Sequence, residues 1–256
     1  MENKPYIGIT GFKIEKEVEC VSELFKRNLK DTNYTAMFGF VTSTKRLMDW
    51  RVGGKTSPAV KEITHLINLV HREFLPVLHH YMAKPERLYD EICQLHFAVP
   101  VDWGLQINSA WPEVNEVYKI KNHFNDKKII LQMPKQAIES GDYHQNLRKY
   151  SGLVDYVLID PSGGKGLDFD LVKCSELMQV ISEALPEAIV GIAGGLSGDN
   201  VAARFDEIAK AYEKPFSIDA EGKLRVETFS ESFLDFEEVK SYIEKSAKAI
   251  KDTTFN

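Results

Sequence analysis

Cysteine is scarce in this 256-residue chain. Cys20, Cys93 and Cys174 are odd in number, widely spaced and without a CxxC pair, which excludes a disulfide framework and a thiolate zinc site and leaves them as small buried hydrophobes. No run of 18 or more apolar residues occurs, and Met1 to Tyr6 leads straight into a short apolar strand. Neither a membrane span nor a signal peptide is expected, no membrane partner is expected, and the expected location is the cytoplasm. Positive charge is also in short supply, with 32 Lys and Arg against 38 Asp and Glu and a net charge of -6. Neutralising backbone phosphates requires a basic surface, so nonspecific nucleic-acid binding is excluded. What is present is an ordinary globular composition, 43% hydrophobic and 27% charged, at a length that suits a (β/α)8 barrel.

Short β-rich runs alternate with segments of helical periodicity about eight times, the order expected of parallel strands joined by crossover helices. The strands are read at Tyr6 to Thr10, Ala36 to Val41, Phe74 to Leu78, Trp103 to Ile107, Lys128 to Gln132, Tyr156 to Ile159, Ala188 to Ala193 and Phe216 to Asp219. Thr42 to Arg46 reads as a polar loop and Asp49 to Ser57 as an insertion. His96 to Asp102 is strand-like in composition but is taken as a lead-in loop, because a ninth strand would break the count. The last helix is read at Phe236 to Ile250, with the acidic stretch from Glu231 as its solvated start. The fold class is therefore α/β, a single TIM barrel, and one domain over residues 1–256 is the economical reading.

The last three units carry the chemistry. Tyr156 to Ile159 runs into Asp160-Pro-Ser-Gly-Gly-Lys-Gly166, Ala188 to Ala193 into Gly194-Gly195-Leu-Ser-Gly198, and Phe216 to Asp219 into Ala220-Glu-Gly222. Each ends a buried strand on a loop whose missing side chains let backbone N–H groups approach an anion. Gly194, Gly195, Ser197 and Gly222 are the candidates for phosphate contact, with Gly163 and Gly164 shaping the neighbouring loop. Asp160 can serve beside them as a proton donor or acceptor, and Asp219 ends the last strand. The middle strands also end on polar residues: His79-His80, Gln106 with Asn108, and Gln132.

These motifs, in this order, resemble phosphoribosylanthranilate isomerase. The likeness extends to Gly8-Ile-Thr10, to Gly39-Phe-Val41 followed by Lys45-Arg46, and to Phe169-Asp170 and Asn200-Val201, and it is strongest from about Asp155 to Gly222. It implies a barrel enzyme that carries out an Amadori rearrangement on a phosphorylated sugar derivative, with neither metal nor redox cofactor. It implies Asp160 as the general acid and Arg46 as the clamp on a substrate carboxylate. One position departs from the pattern: the first-strand cysteine that serves the family as base is matched here by Ile7, an aliphatic residue. Thr10 is a weak base, and His79, His80 or Asp219 are the candidates to replace the cysteine. Two readings stand: a divergent isomerase with a relocated base, or a barrel that binds or transforms another phosphorylated metabolite.

Bland alternatives accompany each assignment. Asp160 could merely cap a strand end, the Gly-Gly pair could merely permit a turn, and Arg46 could be an ordinary surface arginine. Of His79 and His80, one should face the core and the other the surface, since adjacent strand positions point oppositely. Trp103 and Trp111 more often pack than stack on a ligand, and Lys165 could reach a phosphate or be solvated. No metal site is expected, because two adjacent histidines do not supply three or four converging ligands.

Overall fold

The computed structural model describes residues 3–82, 84–108, 111–133, 135–141, 143–160 and 171–255. Eight parallel strands close into a barrel in chain order: β1 (Tyr6–Thr10), β2 (Thr35–Ser43), β3 (Leu75–Tyr81), β4 (Gly104–Asn108), β5 (Ile129–Met133), β6 (Tyr156–Ile159), β7 (Ile189–Ala193) and β8 (Ser217–Ala220). Closure is made by β1 on β8, with Ile7 opposite Ile218 and Gly8 opposite Asp219.

The period-two alternation of each strand divides its side chains between two cores. Tyr6, Met37, Val77, Ile130, Tyr156 and Leu158 fill the barrel interior. Ile7, Ile9, Phe38, Phe40, Leu78, Leu105 and Ile107 point the other way, onto the helices. Those helices are α1 (Glu15–Asn28), α2 (Thr44–Met48), α3 (Val60–Asn68), α4 (Leu88–Ala98), α5 (Val114–His123), α6 (Lys135–Ser140), α7 (Tyr143–Arg148), α8 (Leu171–Ala184), α9 (Val201–Tyr212) and α10 (Phe236–Asp252). Full burial of each such aliphatic or aromatic side chain contributes roughly 1.5–3 kcal/mol.

Three local readings change. Thr42 to Arg46 is no loop: β2 continues to Ser43, whose hydroxyl caps α2 by accepting from the Arg46 amide at 3.2 Å. The acidic stretch from Glu231 is not all helix start: it contains the second strand of an antiparallel hairpin, β9 (Arg225–Glu227) with β10 (Ser232–Leu234). Helix α10 starts after it, capped by Asp235, which accepts from the Glu237 and Glu238 amides at 3.0 and 3.3 Å. Strands of three residues with mixed polarity leave too little periodicity to be read ahead of the fold. Only Cys174 is a buried cysteine, while Cys20 is exposed and Cys93 half-buried.

The loop after β7 is locked onto α10 at Gly198. A Cβ there would lie 2.5 Å from the Ser241 Cβ and 3.1 Å from the Tyr242 amide nitrogen. Gly198→Ala is expected to lower unfolding stability by about 1–3 kcal/mol through overpacking, read from urea melts. An unchanged midpoint would show that the α10 contact yields freely.

Candidate active site

A pocket opens at the carboxyl ends of β3 to β8, enclosing about 460 Å³ of atom-free space, part of it solvent. It brings together Asp160, Gly194, Gly195, Asp219 and Gly222. Gly163 and Gly164, with Lys165, lie outside the described residues. Gly194 and Gly195 take φ of 108° and 65°, values open to glycine and costly to other residues, and so turn the chain tightly at the pocket edge. Ser197 is not on the pocket wall: its amide donates to Asn200 Oδ1 at 2.9 Å and its hydroxyl accepts from the Asp199 amide at 3.2 Å. Both groups shape the entry to α9.

Arg46 is likewise not brought to this pocket. It sits on α2 and lines a separate cleft with Lys13, Lys55 and Glu231, its guanidinium donating to the Val52 carbonyl at 3.4 Å. Trp111 stacks on Tyr150 with ring centroids 5.7 Å apart. Trp103 carries the Lys127 ammonium 3.3 Å from its ring centre, in a cavity shared with Phe74 at the amino ends of the strands.

The Ile7 question changes with the register. Ile7 is fully buried in the layer between strands and helices, and position 8 is the one beneath the pocket, since a Cβ on Gly8 would lie 2.9 Å from Asp219 Oδ1. A thiol at position 7 would face helices. Ile7→Cys is therefore expected to restore no turnover; a gain of activity would show that the strand can present this position to the pocket.

The pocket floor is polar. Gln106 donates to Gln132 Oε1 at 3.1 Å, and Gln132 donates to Asp160 Oδ2 at 3.2 Å, so a directed amide chain crosses β4, β5 and the end of β6. On the neighbouring strand Asn108 bonds His79 Nε2 at 2.8 Å, and the His79 ring stacks on Tyr81 at 4.9 Å. Burial, helped by the adjacent His80, lowers the His79 pKa to about 3. The ring is neutral at pH 7. His80 faces the helices and is not on the surface: it is fully buried, with Thr42 at 3.0 Å on Nδ1 and Glu91 at 2.7 Å on Nε2.

On the opposite wall Thr10 donates to Asp219, 3.3 Å from each carboxylate oxygen. Burial is the main cause that raises the Asp219 pKa to about 8, and the charges of Glu221 and Asp160 add to it. Glu221 is raised as well, by burial and by Asp160, against the opposing pull of Arg225. Three carboxyl groups thus share one mouth, and like charges so placed do not all ionise together. Glu221, Tyr81 and Lys223 are pocket residues that the sequence reading did not single out. The alternation of His79 with Tyr81 was the available signal for the tyrosine. Among the described residues no group of three or more His, Cys, Asp or Glu side chains is placed to hold a metal ion, and no helix is long and apolar enough to cross a membrane.

A closed eight-stranded parallel barrel with an acid-lined pocket at the carboxyl ends of its strands places this chain among the (β/α)8 barrels, with an architecture like that of phosphoribosylanthranilate isomerase. It is similar to phosphoribosyl anthranilate isomerase from Thermus thermophilus, 11% identical over 95% of this chain and 98% of that one, with a TM-score of 0.64. It is also similar to TrpF from Jonesia denitrificans, 15% identical over 97% and 98% of the two chains, TM-score 0.63. The tryptophan synthase α subunit of Legionella pneumophila matches at 8% identity over 98% and 94%, TM-score 0.62. Likeness at such identities is likeness of fold. No protein-family model matches the chain, and no curated sequence does.

Proposed function

We propose that this barrel is an acid/base isomerase acting on a phosphorylated sugar derivative, of the Amadori type. The observation that carries the reading is the pairing of two carboxyl groups, Asp160 and Asp219, in one pocket with the Gly194–Gly195 turn. A carboxyl group whose surroundings hold its proton is fitted to the acid role, and a second carboxyl group beside it can take the base role. The resemblance assigned the acid to Asp160. The surroundings favour the reverse: Asp219 keeps its proton near neutral pH and protonates the ring oxygen as the sugar ring opens. Asp160, steadied by Gln132, takes the carbon-bound proton. One proton enters and one leaves, so the substrate is isomerised without net oxidation or reduction.

The phosphate would rest on the Gly194–Gly195 turn and Gly222, with the Lys223 ammonium beside them. Among the described residues nothing accepts a hydrogen bond from the Gly194 or Gly195 amide, which keeps both N–H groups available to an anion. Glu221 stands against an anion while ionised, and its raised pKa lessens that opposition. Phosphate binding should take up protons, so its affinity should weaken as rising pH ionises Glu221, whose pKa lies above the ordinary range; calorimetry in buffers of different ionisation enthalpy reads the proton count. Zero proton uptake would separate the anion from these carboxyls.

A fluorescence assay with phosphoribosylanthranilate tests the reaction. Turnover supports the isomerase reading, whereas binding without turnover favours a barrel that only holds a phosphorylated metabolite. A second reading, an isomerase of unphosphorylated sugars, is favoured by Glu221 at the loop after β8. It predicts that ribose and ribose 5-phosphate bind equally well.

A further inference from the structure

Two buried polar atoms of the pocket floor have no hydrogen-bond partner among the described residues: His79 Nδ1 and Gln106 Oε1. Native proteins leave few such atoms, and each orphan inside a polar pocket asks for a complement. Their chemical characters follow from their neighbours. The Asn108 amide nitrogen has only hydrogens to offer, so the bond it makes at 2.8 Å requires His79 Nε2 to accept. A neutral imidazole carries one N–H, which then sits on Nδ1 as a donor. Gln106 already spends its amide nitrogen on Gln132, leaving its carbonyl oxygen as an acceptor. His79 and Gln106 are register partners on β3 and β4, so donor and acceptor are cross-strand neighbours on one face.

A group that both donates and accepts satisfies this pair, and hydroxyl is the chemistry that does so without charge. Each floor residue is buried, 5% and 0% exposed, which makes an unfilled bond there costly. We infer that His79 and Gln106 form a hydroxyl-recognition subsite, which takes the hydroxylated carbon chain of a sugar or polyol and rejects a chain of equal length lacking hydroxyls. The subsite deepens the isomerase reading by naming the ligand's second end: phosphate at the turn after β7, hydroxyls at the ends of β3 and β4. It also touches the reacting end. A hydroxyl held by Gln106 is joined through Gln132 to Asp160, so seating the ligand orients the carboxyl that works on it.

The test is calorimetric titration of the full chain with ribitol 5-phosphate, n-pentyl phosphate, inorganic phosphate and ribitol. Native protein is expected to bind ribitol 5-phosphate about tenfold or more tightly than pentyl phosphate, the factor that 1.4 kcal/mol of lost hydrogen bonding gives. In His79→Phe, which preserves a ring to stack on Tyr81, and in Gln106→Leu, that margin should shrink to within about twofold, with inorganic phosphate affinity unchanged. The two variants are read separately, each checked for native near-UV dichroism, so a folding failure in one leaves the other decisive. Equal binding of the two organic phosphates by native protein, a margin that survives both substitutions, or no binding of either ribitol compound would overturn the subsite. If ribitol binds as well as its phosphate and the substitutions abolish that binding, the subsite stands and the phosphate reading of Gly194 and Gly195 falls.

Discussion

Asp219→Asn is expected to make the protein more stable at pH 8 by about 2–5 kcal/mol and to remove most of the turnover that the proposed isomerase role predicts. The stability effect follows from proton linkage. In the unfolded chain this carboxyl titrates near 3.8, and in the folded protein near 8, so between those values the folded form holds a proton that the unfolded form releases. The group's contribution is whole below pH about 4, declines as pH rises, and is lost by the time pH passes 8. At roughly 1.4 kcal/mol per pK unit the full span is on the order of 5 kcal/mol. Asparagine keeps the shape and the acceptor for Thr10 but never ionises, so the slope should be clearly shallower in the variant, with Glu221 keeping its own part. Urea midpoints of both proteins at pH 5 and pH 8 decide the matter: equal slopes would mean that the buried proton belongs elsewhere. The groups facing Asp219 are Asp160, Glu221, Tyr81, Tyr6 and Tyr242; the tyrosines are pushed above their ordinary range by burial, and the competing titration is that of Glu221, whose pKa is raised as well. If Asp219 is the acid of the proposed isomerase, turnover should fall above pH 8 as it loses its proton.

Asp160→Asn should lower kcat by about 10²- to 10⁴-fold, the range that general acid/base groups supply, with KM changed little. The side chain lines the pocket, is buried, and accepts from Gln132; an amide of the same shape keeps that hydrogen bond through its own carbonyl oxygen. Loss confined to kcat marks an interaction made in the transition state, whereas a rise in KM alone would mark a binding residue. Full activity in this variant would remove Asp160 from the mechanism. A fall in kcat accompanied by an equal fall in melting temperature would instead make it a structural cap at the end of β6.

Much of the fold was legible because the strands announce themselves locally. Tyr156 to Ile159 is apolar without interruption, as expected where both faces of a strand are buried, and its bounds agree with β6. His96 to Asp102 is rightly no ninth strand, but it is not all loop either: His96 to Ala98 form the last turn of α4, and only the residues after it are loop. The site was legible in part. Asp160, Gly194, Gly195, Asp219 and Gly222 were named from motifs and meet in one pocket, while Arg46, chosen for its place after β2, lies in the next cleft. Nothing in Lys45-Arg46 encodes the start of α2, which the Ser43 hydroxyl caps by accepting from the Arg46 amide. Ile7 was matched by motif rather than by facing, and one residue of register separates the helix layer from the barrel interior.

Strand order, the parallel crossover pattern and the glycine turns after β7 and β8 were thus determined by the sequence itself, since propensity and periodicity act over a few neighbouring residues. Only the tertiary structure decided which carboxyl keeps its proton, which histidine enters the pocket and which floor atoms await a ligand. Those properties arise from desolvation and from charges brought near by barrel closure: Asp219 answers to Thr10, 209 residues away, and no local pattern carries that distance.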